Sequence, residues 1–290
     1  MKRTFPSIAM ATVMAIGLAS AASADELYGT LKKIKESGTM IIGRSEDSVP
    51  FSFTGPDGQP QGYSIELCQR IAAAVKDELK LDKLEVKYVT IIGTTMIPLL
   101  LNGTVDIVCS TTTVNLRRQS QVDFLYTTFI TGNRLLVKKA SAIKEVEDLK
   151  GKPVSVNQGT QNEKILHTLD EEKKLGIKFI DTKDQPQGWL ALETDRAVAH
   201  VTDEVIEFGL ISKSRNPDQY EVVGRMLSYD PYSMVVRRDD SAFRLLGNKV
   251  LVGLFRSGEI KTIYDKWMSR INMPMSDMLK TVFAAQAIPD

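Results

Sequence analysis

Histidine and cysteine are scarce, with two of each in 290 residues, and that shortage narrows the chemistry open to the chain. His167 falls mid-helix among charged neighbours and His200 falls in a strand pattern. Neither stands at metal-ligand spacing from a Cys, Asp or Glu, so no metal is expected. No GxSxG elbow, phosphate-binding loop or HExxH segment occurs, which removes the commonest nucleophile, nucleotide and metalloprotease signatures. An excess of one charge is missing too: 37 Lys and Arg stand against 36 Asp and Glu. Without a global field the chain has little to draw in nucleic acid or an anionic membrane, and its partner is expected to be small or matched by shape.

Long apolar runs are absent as well. The stretch Ile8 to Ala19 is shorter than the roughly 20 residues that span a bilayer. Preceded by Lys2 and Arg3 and followed by Ala22-Ser23-Ala24, it reads as a secretory signal peptide over 1–24. No Cys stands near the cut to carry a lipid, so a soluble protein exported to the periplasm is expected. Oxidising conditions there permit Cys68 and Cys109 to pair. Cys68 shares the spacing of Ile65, Ala72 and Val75, and Cys109 ends an apolar strand, so both are read as small buried hydrophobes with free thiols.

From Leu31 onward, short apolar strands alternate with amphipathic helices, the pattern of an α/β fold with a mostly parallel sheet. Strands are predicted over 39–43, 84–91 and 105–109, with helices over 64–79 and 95–101. A further strand, 133–138, leads through a charged stretch to Gly151-Lys152-Pro153. From there the order strand (154–156), helix (162–174), strand (177–180), helix (188–194), strand (197–201), helix (204–211) builds a second βαβαβ unit. After a strand at 220–223 the chain heads back through 232–237 to helices over 242–255 and 259–268. The expected domains are a first lobe from 25–133, a second lobe from 134–230, and a return with the C-terminal helices over 231–290. Two crossings make a hinge, and the cleft at the carboxyl ends of strands is where such folds bind ligands.

The hydroxyl run Ser110-Thr111-Thr112-Thr113 follows a strand and precedes Arg118 by five residues. Hydroxyls suit an ammonium group, and a guanidinium grips a carboxylate through two parallel hydrogen bonds. In the second lobe, Gly159, Thr160 and Gln161 lead off a strand into a helix, where amides and the dipole favour a carboxylate. Asp203 follows another strand and can accept from an ammonium. Each of these also has a structural reading as a helix cap.

Several motifs coincide in order with one family. They are Ser48-Val49-Pro50-Phe51-Ser52, Gly62-Tyr63-Ser64-Ile65-Glu66, Ile97-Pro98-Leu99-Leu100 with Asn102-Gly103, Gln158-Gly159-Thr160, Arg196-Ala197-Val198-Ala199 before Asp203-Glu204, and Ser257-Gly258-Glu259 with 264–267. The chain resembles the amino-acid-binding proteins of ABC importers, solute-binding family 3, and is most similar among them to the glutamate/aspartate binders. The resemblance implies the type II periplasmic-binding-protein fold of two Rossmann-like lobes joined by a two-segment hinge. It also implies a monomer that takes a free amino acid to an ABC permease in the inner membrane, served by a cytoplasmic ATPase. By that likeness Arg118 and the amides around Gly159 to Gln161 hold the α-carboxylate, while Thr111, Thr113 and Asp203 hold the α-ammonium.

The cationic positions that grip a distal carboxylate in glutamate/aspartate binders read Ser45, Met96 and Gln185 here. A site often aromatic in binders of basic amino acids reads Ser48. With Gln161, these residues suggest a polar neutral side chain, unless Arg44 swings in to receive an acidic one. The fold also serves secreted dehydratases of cyclic amino acids. That reading would need an acid such as Glu46 or Asp47 in the cleft, and both are read as solvated loop residues. A sensor ectodomain would need a membrane span and a signalling module, which the sequence does not display.

Overall fold

The computed structural model describes Met1 and residues 27–289, so the expected leader, Met1 apart, lies outside the described residues. No helix among the described residues is long and apolar enough to cross a membrane. Two five-stranded sheets organise the chain. In the first, the order is Glu85–Thr90, Thr39–Arg44, Ile107–Val108, Val235–Arg237, Val122–Phe124. Its first three strands are parallel, with Thr39 opposite Glu85 and Ile42 opposite Ile107, and Val235–Arg237 runs antiparallel to both neighbours.

The second sheet repeats the plan with Lys178–Thr182, Pro153–Asn157, Ala199–Asp203, Asn133–Lys138, Tyr220–Val223. Again three parallel strands come first, and Asn133–Lys138 is antiparallel to both its neighbours. Between the sheets the chain crosses twice, through Phe129–Thr131 and Asp230–Tyr232, which pair antiparallel with Phe129 opposite Tyr232. The result is two α/β lobes joined by a two-stranded ribbon.

Helices form where apolar residues recur on one face. Tyr63–Glu78 buries Ser64, Leu67, Cys68, Ile71, Ala72 and Val75, and Glu259–Met268 buries Ile260, Ile263, Tyr264, Trp267 and Met268. Three helices were not anticipated, the short Leu116–Gln119 among them. Gly29–Ser37 buries Leu31 and Ile34, and ends at Gly38, whose φ of 66° suits a residue without a side chain. Asp277–Gln286 is capped by Ser276, which accepts from the Leu279 amide, and stacks Phe283 on Phe255 with ring centroids 4.7 Å apart. The apolar pair Leu279 and Phe283, one turn apart after a Ser-Asp start, was its visible signal.

An aromatic cluster seats the ribbon. Phe51 meets Phe129 edge to face at 4.8 Å and Tyr232 at 5.4 Å, so one residue of each crossing strand is anchored in the first lobe's core. The cysteines correct the sequence reading. Cys68 and Cys109 form a disulfide, with Cα atoms 6.3 Å apart. Packing the helix Tyr63–Glu78 against the sheet brings its inward face to the end of the strand Ile107–Val108, a proximity that spacing along the chain does not reveal.

Candidate functional site

The parallel strands of both sheets end on one cleft, as open α/β folds require of their ligand sites. After Thr39–Arg44 come Ser45, Glu46, Asp47 and Ser48, and after Ile107–Val108 come Ser110, Thr111, Thr112 and Thr113. From the second lobe, Pro153–Asn157 leads to Thr160, Gln161 and Asn162, Lys178–Thr182 leads to Lys183, Asp184 and Gln185, and Ala199–Asp203 contributes Asp203 itself. All of these, with Met96 and Arg118, line one cavity of about 140 Å³. At roughly 10–15 Å³ per water-sized position, that is room for on the order of ten atoms.

Arg118 is held by its own loop. Asn115 caps the short helix Leu116–Gln119 by accepting from the Arg118 amide at 2.9 Å, and the guanidinium donates through Nη1 to the Thr113 carbonyl at 2.8 Å. Burial lowers its pKa and the Asp203 carboxylate raises it. Asp203 is buried, and Tyr232 from the crossing strand donates its hydroxyl to Oδ2. Oδ1 is buried without a partner. Burial, followed by the neighbouring Asp230, holds the Asp203 carboxyl well above the usual range, while Tyr232, Asn162 and then Arg118 work in the opposite direction.

The surrounding hydroxyls are fixed from behind. Ser45 and Ser110 hydrogen bond through their hydroxyls, and Ser64 donates to the Ser110 carbonyl at 3.0 Å. Ser64 therefore supports the site, a role its place in the helix entry did not suggest. Thr112 donates to the Met96 sulfur at 3.2 Å. Gln185 donates through Nε2 to Thr202 at 3.1 Å and accepts at Oε1 from His200 Nε2 at 3.0 Å. On its other side, Nδ1 lies 3.0 Å from the Ser155 hydroxyl and 3.2 Å from the Ser155 carbonyl. Burial pushes the His200 pKa down to about 4, which keeps the ring neutral. Read from the sequence as an ordinary strand histidine, His200 is a buried residue that orients Gln185.

Two further expectations require correction. Gly159 does not line the cavity: its amide donates to Glu163 Oε2 at 2.8 Å, so it is not open to a carboxylate. At φ 72° it lies against the backbone of Gly93 and Thr94 from the other lobe, with no room there for a Cβ. Arg44 does not replace the missing cations, because it donates to the Ser45 carbonyl, Thr54 and Glu46. Of the two loop acids, Glu46 is exposed, whereas Asp47 is half-buried and accepts from the Gln185 amide across the cleft at 3.2 Å. Asn115 likewise donates to Gln161 across the lobes at 3.1 Å.

Sequence reasoning missed Asp47, Asn162, Lys183 and Asp184 as cavity residues. Lys183 and Asp184 follow directly on the strand Lys178–Thr182, so position alone could have found them, whereas Asp47 lies further along its loop and Asn162 inside the helix Gln161–Lys173. It also missed that Glu163, His167 and Asp181 gather with their ligand atoms within 4.8 Å of one another, on the surface and outside the cavity.

The description of bacterial extracellular solute-binding proteins, family 3, matches residues 40–270. A Pseudomonas aeruginosa L-glutamate/L-aspartate-binding protein is 41% identical, over 98% of this chain and 97% of its own length. The glutamate/aspartate import solute-binding protein of Salmonella typhimurium is 38% identical over 94% and 93% respectively. Among solved structures, a mutant of the arginine-binding protein ArgBP from T. maritima superposes with a TM-score of 0.75 at 29% identity. That match covers 83% of this chain and all of the other.

Proposed function

Because the chain belongs to family 3 of the bacterial extracellular solute-binding proteins, we propose that it is the periplasmic binding component of an ABC importer, taking a free L-amino acid by closure of its two lobes. The ligand is polar neutral or glutamate/aspartate-like. The carrying observation is the buried, unpartnered Oδ1 of Asp203 on the cavity that Arg118 also lines. Arg118 receives the α-carboxylate. Asp203, with Thr111 and Thr113, receives the ammonium, which supplies the donors that Oδ1 lacks. A buried acceptor without a donor costs free energy, so the ligand's ammonium relieves a cost that the fold bears.

Arg118 belongs to the first lobe and Asp203 to the second, so one zwitterion contacts both and favours their approach. Asn115 to Gln161 and Asp47 to Gln185 supply protein contacts across the same cleft. The closed protein, a monomer exported by its leader, then docks on an inner-membrane permease coupled to a cytoplasmic ATPase. No nucleic acid or cofactor enters this cycle. A thermal-shift screen of ligand-stripped protein against the twenty amino acids tests the reading, because a ligand that binds only the folded state raises the melting temperature by mass action. A screen in which no amino acid shifts the melting temperature would refute it.

Closure should be sensitive at Gly93. A Cβ there would lie 2.6 Å from the Gln158 carbonyl of the opposite lobe. Gly93→Ala is expected to weaken ligand affinity at least tenfold, about 1.4 kcal/mol, while leaving the ligand-free melting temperature within a degree or two. Titration calorimetry and a thermal melt on the same preparation separate the two effects.

Affinity should also depend on pH. A bound ammonium holds Asp203 ionised, so its pKa falls from its raised value on binding and the complex carries fewer protons than the free protein. Binding therefore releases protons, and affinity is expected to rise as pH rises through the range of the raised carboxyl. Calorimetry in two buffers of different ionisation enthalpy reads the proton count. A flat affinity from about pH 5 to 8 would remove the ammonium contact from Asp203.

A further inference from the structure

The charges around the cavity fall into two groups. Arg118 and Asp203 act on one another, with Asp230 acting on both. Asp47 is instead perturbed by Asp184 and Lys213. Asp47 and Asp184 thus mark a second end of the cavity beside the head-group end.

Lining the second end are Glu46, Asp47 and Asp184, with Lys183 as its cation. Glu46 is already engaged, accepting from Thr90 at 2.7 Å and Arg44 at 3.2 Å. Asp184 caps the helix Gln185–Glu193, accepting from the Gln187 amide at 3.0 Å. Lys183 is an exposed side chain at the rim. Lys213 reaches toward Asp47, but its ammonium lies over the Phe53 ring, 5.0 Å from the centroid.

Asp47 itself has one firm partner, the Gln185 amide at 3.2 Å on Oδ2. On Oδ1 the only recorded contact among the described residues is the Ser48 hydroxyl at 3.5 Å, the limit for a hydrogen bond. A carboxylate thus stands in the cavity wall with acceptor capacity in hand and a second carboxylate beside it. Burial, then Asp184, raises its pKa to about 6, as expected of a charge short of donors.

Resting on the amino-acid-binding reading above, we propose that this end selects an amino acid whose side chain donates hydrogen bonds through nitrogen, a carboxamide or a cation, and that Asp47 is the residue that sets this preference against a carboxylate side chain. A glutamate or aspartate side chain would face Asp47 and Asp184 with like charge, and like-charge juxtaposition suppresses wrong partners. Ser45, Ser48 and Gln185 add only dipoles, and of the nearby cations Lys183 stands exposed at the rim while Lys213 lies over Phe53. The preference therefore differs from the names carried by the similar glutamate/aspartate proteins.

Calorimetry on the ligand-stripped full mature protein tests this with glutamine, asparagine, arginine and lysine set against glutamate and aspartate. The amide and cationic arms identify which nitrogen donor is preferred. The best of the four is expected to bind at least a hundredfold tighter than either acid. In Asp47→Asn the ratio of its affinity to that for glutamate should fall at least tenfold, with a ligand-free melting curve confirming the fold. Tighter binding of glutamate or aspartate than of all four donors overturns this inference and leaves the binding function standing. An unchanged ratio in the variant removes Asp47 from the role. Failure of every amino acid to bind overturns the parent reading, and this one with it.

Discussion

Replacing Arg118 by alanine is expected to weaken binding of the amino acid by 2 kcal/mol or more, at least about 30-fold, and up to about 5 kcal/mol if the carboxylate is left buried and unpaired. The guanidinium is preset before any ligand arrives. Its backbone amide is tied to Asn115 and its Nη1 to the Thr113 carbonyl, so little conformational freedom remains to be lost on binding. Arg118→Lys keeps the charge but not the planar fork, and should fall between wild type and the alanine variant. Titration calorimetry with the amino acid found in the screen decides the matter. Wild-type affinity in the alanine variant would move the carboxylate elsewhere in the cavity.

The second large effect concerns stability. The disulfide joins positions separated by 41 residues. Closing a loop of that length removes chain entropy from the unfolded state worth about 4 kcal/mol. The double variant Cys68→Ser, Cys109→Ser should therefore melt about 10 °C lower, at a few degrees per kcal/mol for a chain of this size. Adding a thiol reductant to the wild type should shift its melting temperature in the same direction. Cys109 directly precedes Ser110, whose carbonyl is held by Ser64 from the helix that carries Cys68. Loss of the bridge should thus weaken ligand binding as well as the fold. A melting temperature within about 2 °C of wild type would show that packing of the helix alone holds these segments together.

How much of the site could be read from the chain depends on the kind of constraint each residue answers to. Ser110 to Thr113 and Asp203 were legible as candidates because they follow predicted strands, and strand ends in this class of fold converge on a cleft, whereas Gln185 came only through the family resemblance. Gly159 was misassigned for a related reason. An amide at a strand-to-helix turn is open to an anion only if no nearby side chain takes it, and Glu163, one turn into the helix, does. Asp47 was underestimated because a loop acid looks solvated until the opposite lobe, 138 residues away in sequence, lays the Gln185 amide against it.

By itself, then, the sequence determined what repeats along the chain: the two βαβ units, the apolar helix faces, the strand-end hydroxyls, and the resemblance to a family of binding proteins. These rest on local periodicity and on motifs within a few residues of one another, which the backbone expresses wherever a face must be buried. Only the tertiary structure decided which distant groups meet. It paired Cys68 with Cys109, engaged Arg44 and the Gly159 amide, left Asp203 Oδ1 without a donor, and stood Asp47 beside Asp184. Each of these depends on distances set by how lobes and layers pack, and packing is a property of the whole fold rather than of any one segment.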